Sequence, residues 1–212
     1  MQITYLFDPL CGWCYGAAPA LTKLVEMPEI DVKLMPTGLF AGHGARKMDA
    51  NFASFAWDND QRIAKLTGQV FSMAYRNDVL KKPNGSFDSG PAGLALAAVQ
   101  ITAPEHTFKA LKAFQNARYV DGLDNANDDL LIKILRDIDL GAAANLLAKP
   151  TPELRASYQD ATEQAQRLMQ RFGLRGVPSL LVETASGPKV IHSTLLYGDI
   201  AQLTKELNEV CA

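Results

Sequence analysis

The chain has 212 residues, of which 48% are hydrophobic and 21% charged, and its formal net charge is −2. This length is enough to bury a hydrophobic core without disulfide staples. The balanced charge excludes a strongly basic nucleic-acid binder and a polybasic membrane surface. The longest apolar runs, such as residues 92–99, are far shorter than the roughly 18 residues that span a bilayer. We therefore expect a globular protein with neither nucleic-acid nor membrane partners.

The first residues predict a strand rather than an export signal. Residues 2–7, Q-I-T-Y-L-F, form a β-branched and aromatic run that is typical of a buried strand. A secretory signal would need a positively charged start and an apolar stretch of about 7–15 residues. We therefore expect a cytoplasmic protein, or a periplasmic one if the chain is a processed form.

A βαβ unit is predicted next. Apolar residues recur at helical spacing from Cys14 to Glu26, and residues 30–35 then alternate between apolar and polar up to Pro36. A helix between two strands allows them to be parallel. The Gly-rich loop that follows, residues 37–44, lacks the spacing of a phosphate-binding loop.

The end of the chain predicts a helix, a hairpin and a second helix. A capping threonine, a first-turn proline and a glutamate at 151–153 begin a long helix that extends to about Phe172. Two strands, residues 179–183 and 189–192, flank a Ser-Gly-Pro turn and predict a β-hairpin. The last helix is predicted from Asp199 to about Val210.

The middle of the chain differs in character from both ends. Ala-rich and Leu-rich helical periodicity between residues 48 and 148 predicts about five helices and essentially no strands. The overall order is therefore βαβ, a helical region, then αββα. We predict an α/β fold in which residues 1–47 and 149–212 form one discontinuous domain and residues 48–148 form an inserted all-helical domain.

Cys11-Gly12-Trp13-Cys14 lies where the first strand passes into the helix. At a helix N-terminus, free amides and the helix dipole favour the thiolate of Cys11. The two-residue spacer lets Cys14 reach Cys11 across one helical turn and resolve a mixed disulfide formed there. The motif predicts a redox-active dithiol in which Cys11 attacks and Cys14 resolves.

A zinc site and a purely structural role are the alternatives for this cysteine pair. The pair could be half of a zinc site, although His43, His106 and His192 are isolated and lack ligand spacing; we expect no metal. It could also be a pair of buried structural thiols. Cys211, near the end of the chain, is interpreted as an incidental thiol, with intermolecular pairing as the minor alternative.

Gly176-Val177-Pro178 precedes the first hairpin strand. A proline cannot donate to a sheet ladder, so this position predicts a special turn with a cis bond; a trans proline that only begins the strand is the alternative. Such a proline would face the cysteines. The backbone of Val177 could then pair with an extended substrate segment.

With these motifs the chain resembles the DsbA-like branch of the thioredoxin superfamily, and within it the predicted disulfide isomerases with a Cys-x-Trp-Cys-Tyr-Gly site. The resemblance implies a thioredoxin fold interrupted by a helical domain, with Cys11 as nucleophile, Cys14 as resolving thiol and Pro178 as the cis-proline. The matching stretches are residues 5–16 (YLFDPLCGWCYG), 38–42 (GLFAG), 67–69 (TGQ), 87–88 (FD) before the 91–99 helix, 114–120 (FQNARYV) and 176–181 (GVPSLL).

The chain also departs from that family pattern. Tyr5 stands six residues before Cys11, where thioredoxin and DsbA carry a buried acid. Asp8 is the candidate substitute as a proton relay, and a turn former before Pro9 is the alternative interpretation. The dipeptide between the cysteines is Gly-Trp, not the Pro-His of DsbA, so we expect a weaker oxidant than DsbA.

Four apolar side chains are candidates for a substrate-binding lip around the dithiol, and core packing is the alternative for each. They are Trp13, Tyr15, Leu39 and Phe40.

The predicted function is a thiol–disulfide oxidoreductase or isomerase that exchanges disulfides with protein or peptide thiols. It needs no cofactor beyond its own redox-active disulfide, and glutathione is a candidate co-substrate; the oligomeric state is left undefined. One alternative is a glutathione-dependent enzyme related to kappa-class transferases and 2-hydroxychromene-2-carboxylate isomerases, whose sites typically carry Ser where this chain has Cys11. The other is a non-catalytic binding module, which would not need an intact dithiol.

Overall fold

The computed structural model describes residues 1–211, which include a four-stranded mixed sheet in the order β2-β1-β5-β6. β1 is parallel to β2 and antiparallel to β5, and β5 is antiparallel to β6. The hairpin formed late in the chain therefore completes the sheet begun by the first residues. The strands are β1 (Gln2–Phe7), β2 (Asp31–Pro36), β5 (Ser179–Val182) and β6 (Lys189–Ile191).

β1 lies inside the sheet, between β2 and β5, and all of its side chains except that of Gln2 are buried. Ile3, Tyr5 and Phe7 point into a large core on one face, and Leu6 points into a smaller core on the other. This alternation follows from the two-residue period of a strand. The first face is covered by α2 (Ala18–Glu26) and α9 (Ile200–Cys211), and the second by α8 (Pro152–Arg171).

The first predicted helix is divided in the structure. A short helix, α1 (Gly12–Gly16), is followed by α2, with Ala17 at the boundary. Pro19 accounts for the division: it has no N–H to donate to the carbonyl of Tyr15, four residues earlier. That carbonyl instead accepts a hydrogen bond from the Gln69 side chain at 3.0 Å. The prediction of one helix from Cys14 to Glu26 was therefore wrong in its start and in its continuity.

The middle of the chain is mainly helical, and α4 packs there against α5, α6, α7 and α8. The α-helices of this region are α3 (Ala50–Thr67), α4 (Gly90–Thr102), α5 (Thr107–Tyr119), α6 (Asp128–Asp137) and α7 (Gly141–Ala148), and a π-helical turn lies at Tyr75–Leu80. Short 3₁₀ turns lie at Gly42–Gly44, Pro104–His106 and Ser193–Tyr197. The boundaries 47/48 and 148/149 stay predictions.

Residues 48–148 were expected to hold essentially no strands, and the structure places one two-residue strand there. β4 (Ser86–Phe87) pairs antiparallel with β3 (Arg46–Lys47), just before the predicted boundary. A two-residue strand is too short to show an alternating pattern, so periodicity could not reveal it.

The C-terminal elements lie close to their predicted positions. The hydroxyl of Thr151 caps α8 by accepting from the backbone N–H of Leu154 at 3.2 Å. Gly173, two residues after α8 ends, has a φ of +64°, a conformation that glycine adopts most readily. The hairpin is present, and the last helix begins and ends one residue later than predicted. Residue 212 of the predicted C-terminal domain lies outside the described residues.

None of the helices within residues 1–211 combines the length and the apolar character needed to cross a membrane.

Candidate active site

The loop between β1 and α1 is a tight turn built around Asp8. One carboxylate oxygen of Asp8 accepts a hydrogen bond from the backbone N–H of Leu10 at 2.9 Å. The backbone carbonyl of Asp8 accepts another from the backbone N–H of Cys11 at 3.1 Å. Cys11 is then extended at the N-cap position of α1, and its carbonyl receives the first helical hydrogen bond from Tyr15. The turn thus fixes Cys11 at the N-terminus of the helix, where free amides favour a negative charge.

The two cysteines of the motif are free thiols in different surroundings. Cys11 is 7% exposed, whereas Cys14 is 1% exposed and packs in the main core. Burial, and then the hydrogen bond and charge of Cys11, raise the pKa of the Cys14 thiol well above its usual range. Cys14 therefore stays protonated while Cys11 is the thiol nearer to solvent.

The loop before β5 meets the dithiol from the opposite end of the chain. The Cys11 thiol donates to the carbonyl oxygen of Val177 with an Sγ to O distance of 3.5 Å. The Val177–Pro178 peptide bond is cis, and Pro178 is buried while Val177 is half-buried. Ser179 secures the loop by donating from Oγ to the Gly176 carbonyl at 2.8 Å. The structure thus brings Cys11, Cys14, Val177 and Pro178 together.

Asp8, the candidate proton relay, is fully buried and accepts three hydrogen bonds. Besides Leu10, they come from the backbone N–H of Phe40 at 3.0 Å and from Ser89 Oγ at 2.7 Å. Burial raises the pKa of Asp8, and these hydrogen bonds lower it in part. The carboxyl group thus joins the turn between β1 and α1 to the Gly-rich loop and to the start of α4. The role of Asp8 as a proton relay stays a prediction.

The predicted lip residues fall into two groups. Trp13 and Phe40 are half-buried and Leu39 is 40% exposed, so all three reach the surface. Tyr15 is only 3% exposed and stacks on the ring of Tyr119, with centroids 4.6 Å apart. For Tyr15 the alternative interpretation, core packing, is therefore the one observed, because α1 turns this side chain inward, toward the helical region.

Side chains remote in sequence hold the carbonyl groups of the dithiol segment, and the sequence patterns did not single out these contacts. Tyr5 Oη donates to the carbonyl of Cys14 at 3.4 Å, so the residue that replaces the family's buried acid contacts the motif. The other contacts are Tyr119 Oη to Leu10 O at 2.7 Å and Tyr197 Oη to Trp13 O at 3.3 Å. A hydroxyl group that donates to a carbonyl leaves no signal in local periodicity.

A buried polar cluster in the helical region also reaches the motif. Asp60 of α3 is 4% exposed and accepts from the hydroxyl of Tyr75 at 2.9 Å. Arg118 is fully buried among the rings of Tyr75, Phe87 and Tyr119. The sequence analysis gave no role to Asp60, or to Arg118 within the matched stretch 114–120, because each lies among ordinary polar residues of its helix.

Within residues 1–211 no group of three or more His, Cys, Asp or Glu side chains is arranged to hold a metal ion.

The sheet order and the helical insertion define a thioredoxin fold of the DsbA type. Residues 2–195 match the family model described as DSBA-like thioredoxin domain, and the chain belongs to this family. A search of curated protein sequences finds no match.

Similar solved structures include the cytosolic disulfide reductase DsbM from Pseudomonas aeruginosa, which is 30% identical, with a TM-score of 0.83 over 99% of this chain and 100% of DsbM. A second DsbM structure, with GSH, has a TM-score of 0.80 at 30% identity over 98% and 100% of the two chains. A candidate protein disulfide isomerase from Nitrosomonas europaea is 22% identical, with a TM-score of 0.80 over 100% of this chain and 98% of the isomerase. A 2-hydroxychromene-2-carboxylate isomerase is 14% identical, with a TM-score of 0.61 over 100% of this chain and 96% of that isomerase. The last two likenesses concern the fold alone.

Proposed function

We propose that this chain is a thiol–disulfide oxidoreductase that reduces or rearranges disulfides of proteins or peptides through Cys11 and Cys14, with glutathione as its electron donor. The observation that carries the proposal is the position of Cys11. It lies at the N-terminus of α1, beside the carbonyl of Val177 and next to a buried second thiol. This arrangement suits a nucleophilic thiolate with a resolving partner.

The reaction proceeds in two exchanges. The Cys11 thiolate attacks one sulfur of the substrate disulfide, which releases the other substrate sulfur as a thiolate and leaves a mixed disulfide at Cys11. Cys14 then loses its proton and attacks Cys11, which frees the second substrate thiolate and forms the Cys11–Cys14 disulfide. Two glutathione thiols restore the dithiol and leave as glutathione disulfide.

The surroundings of Cys11 support an extended polypeptide as substrate. The half-buried Val177 precedes β5, so its main chain is suited to pair with a peptide segment laid across the dithiol. Trp13, inside the motif, and Phe40, whose backbone N–H donates to Asp8, supply partly exposed aromatic surface. We propose that these three residues contact the substrate and that Pro178 supports the loop beneath them.

The glutathione part of the proposal is supported by the similarity to DsbM, for which a structure with GSH exists. DsbM is a cytosolic disulfide reductase, and the similarity to it also supports reduction as the net direction and a cytoplasmic location for this chain. The net direction can be tested by following electron flow from glutathione to the substrate. The location can be tested by looking for the native chain in the cytosolic cell fraction.

The experiment is a glutathione-driven insulin reduction assay with three single variants. We expect Cys11→Ser and Cys14→Ser to lose activity, while Cys211→Ser, which removes the exposed thiol on α9, keeps it. Isomerase activity is measured with scrambled ribonuclease on the same proteins. Activity that survives both active-site changes would exclude the dithiol mechanism. Glutathione transfer without disulfide reduction would favour the transferase alternative.

A further inference from the structure

A carboxyl group from the helical region lies directly against the dithiol motif. Asp60 of α3 approaches Gly12, the residue after Cys11, so closely that a Cβ atom at Gly12 would overlap its Oδ1. The other oxygen, Oδ2, accepts the hydrogen bond of Tyr75. One oxygen of Asp60 is therefore held by the helical region while the other faces the first turn of α1.

The charged and titratable groups around Asp60 come from three further elements. The π-helical turn contributes the hydroxyl of Tyr75, and α5 contributes the Arg118 cation and the hydroxyl of Tyr119. The turn at Asp8 contributes the Cys11 thiol. A charge on Cys11 and a charge on Asp60 both raise the pKa of the Tyr119 hydroxyl. Asp8, which Arg118 also stabilises, completes the set.

The balance of these charges depends on Asp60. When only Asp8 is ionised, Arg118 compensates its charge and the buried set is neutral. When Asp60 is also ionised, the set carries one net negative charge, which is poorly screened because the residue is buried. A negative charge beside the N-terminus of α1 opposes the dipole that favours a thiolate at Cys11.

We propose that Asp60 is a positioning residue that destabilises the thiolate of Cys11 and thereby makes the Cys11–Cys14 dithiol a stronger reductant. This inference rests on the proposed function and supplies its direction. The dithiol gives up two electrons and two protons when it forms the disulfide, and the substrate disulfide takes up both. A charge that disfavours the reduced thiolate form therefore drives electrons toward the substrate.

The ionisation of Asp60 makes the effect dependent on pH. Burial raises the pKa of Asp60 to about 7, against which the hydrogen bond from Tyr75 and the charge of Arg118 act. Asp60 is thus neutral at pH 6 and largely ionised at pH 8. The reductant effect should be present at the higher pH and absent at the lower one.

The test is the equilibrium between the full-length enzyme and glutathione at pH 6 and pH 8, for the wild type and Asp60→Asn. We expect the constant for reduction of the enzyme disulfide to increase about threefold to tenfold in Asp60→Asn at pH 8, up to about 30 mV for a two-electron couple, and to change less than about twofold at pH 6. Asp58→Asn, an exposed neighbour on the same helix, is the matched control and should match the wild type at both values.

A second variant keeps the proposal falsifiable if Asp60→Asn is misfolded. Tyr75→Phe removes the hydrogen bond that lowers the pKa of Asp60. Asp60 should then ionise at a higher pH, and the effect of its charge on the dithiol potential should begin at a higher pH than in the wild type. An unchanged pH dependence in Tyr75→Phe, or a constant in folded Asp60→Asn that stays equal or decreases at pH 8, would overturn the role of Asp60. Failure of the proposed function is a separate outcome, because it would appear as activity that survives loss of Cys11 and Cys14.

Discussion

The sulfur of Cys11 lies 3.5 Å from the carbonyl oxygen of Val177, although 166 positions separate the two residues in the chain. Cys11 follows β1 and Val177 precedes β5, and these two strands are hydrogen-bonded neighbours in the sheet. The pairing of β1 with β5 therefore assembles the candidate active site. The Val177 carbonyl is thus within reach of a group bound at Cys11.

The first prediction concerns a trapped intermediate. In Cys14→Ser the attack at Cys11 still occurs but the resolving thiol is missing, so a mixed disulfide with glutathione disulfide or with a peptide should accumulate. Intact-mass spectrometry measures the adduct, and peptide mapping assigns it to Cys11. Cys11→Ser is the control and should acquire no adduct at Cys14, because Cys14 is 1% exposed. An adduct at Cys14 would contradict the assigned roles.

The reduction potential of the dithiol is predicted to lie between about −270 mV and about −120 mV, the values for thioredoxin and DsbA. The N-terminal position of Cys11 favours its thiolate and so stabilises the reduced form. A stabilised reduced form raises the potential, so we expect a value above the lower bound. The upper bound reflects the Gly-Trp dipeptide in place of the one found in DsbA. Titration in glutathione buffers, with the oxidised fraction read by alkylation, measures the potential, and a value outside the interval refutes the estimate.

Gly12→Ala is predicted to destabilise the fold by about 1–3 kcal/mol, because the new methyl group overlaps the buried Asp60 carboxyl. Urea unfolding followed by circular dichroism measures the loss. The matched control is Gly141→Ala, at the start of α7, where no atom beyond its chain neighbours and the backbone of its own helix lies within 4 Å of the added carbon. Equal unfolding midpoints for Gly12→Ala and the wild type would show that α3 does not pack against α1 in this way.

Asp8→Ala is predicted to cost about 1–3 kcal/mol of stability, because it leaves three donors without their acceptor. Asp199→Ala is the control: this exposed carboxylate accepts one hydrogen bond, from Ala201, which water can replace. Chemical denaturation of both variants gives the comparison. A loss of stability no larger than that of the control would indicate that Asp8 is not the centre of the turn.

The stability of the wild type should decrease relative to Asp60→Asn as the pH rises from about 4 to about 7. Burial raises the pKa of Asp60 from 3.8 to about 7, so the folded state holds a proton that the unfolded state has already released. The difference approaches about 4 kcal/mol at most, at about 1.36 kcal/mol for each pKa unit. Unfolding at pH 5 and pH 8 measures it, and parallel curves for the two proteins would contradict a buried, neutral carboxyl.

The elements that contain local patterns could be predicted from the sequence. Residues 2–7 and 179–183 are recognisable as strands from their apolar content, and Thr151 with Pro152 is recognisable as a helix start. The cysteine pair and the Val-Pro dipeptide are motifs in themselves. Each of these features depends on residues that are neighbours in the chain.

The features that could not be predicted depend on distant contacts. The sequence left two interpretations of Tyr15 open, a surface lip and core packing, and the contact that decides between them is with Tyr119, more than a hundred residues away. Asp60 looks like any acid on a polar helix until Gly12 is brought against it. The prediction of one helix from Cys14 to Glu26 did not take Pro19 into account, and the acceptor role of the Tyr15 carbonyl depends on Gln69, 54 residues away.

The hydroxyl of Tyr119 and the side chains of Ser89 and Gln69 all extend from the helical region to backbone or carboxyl groups of the dithiol segment. An engineer who exchanged residues 48–148 for those of another family member would therefore replace the supports of Leu10, Asp8 and Tyr15 at the same time. We expect such a chimera to differ in the reactivity of its dithiol, because these contacts hold the backbone around the two cysteines. Altering specificity in this protein without disturbing its chemistry calls for substitutions at exposed positions such as Leu39.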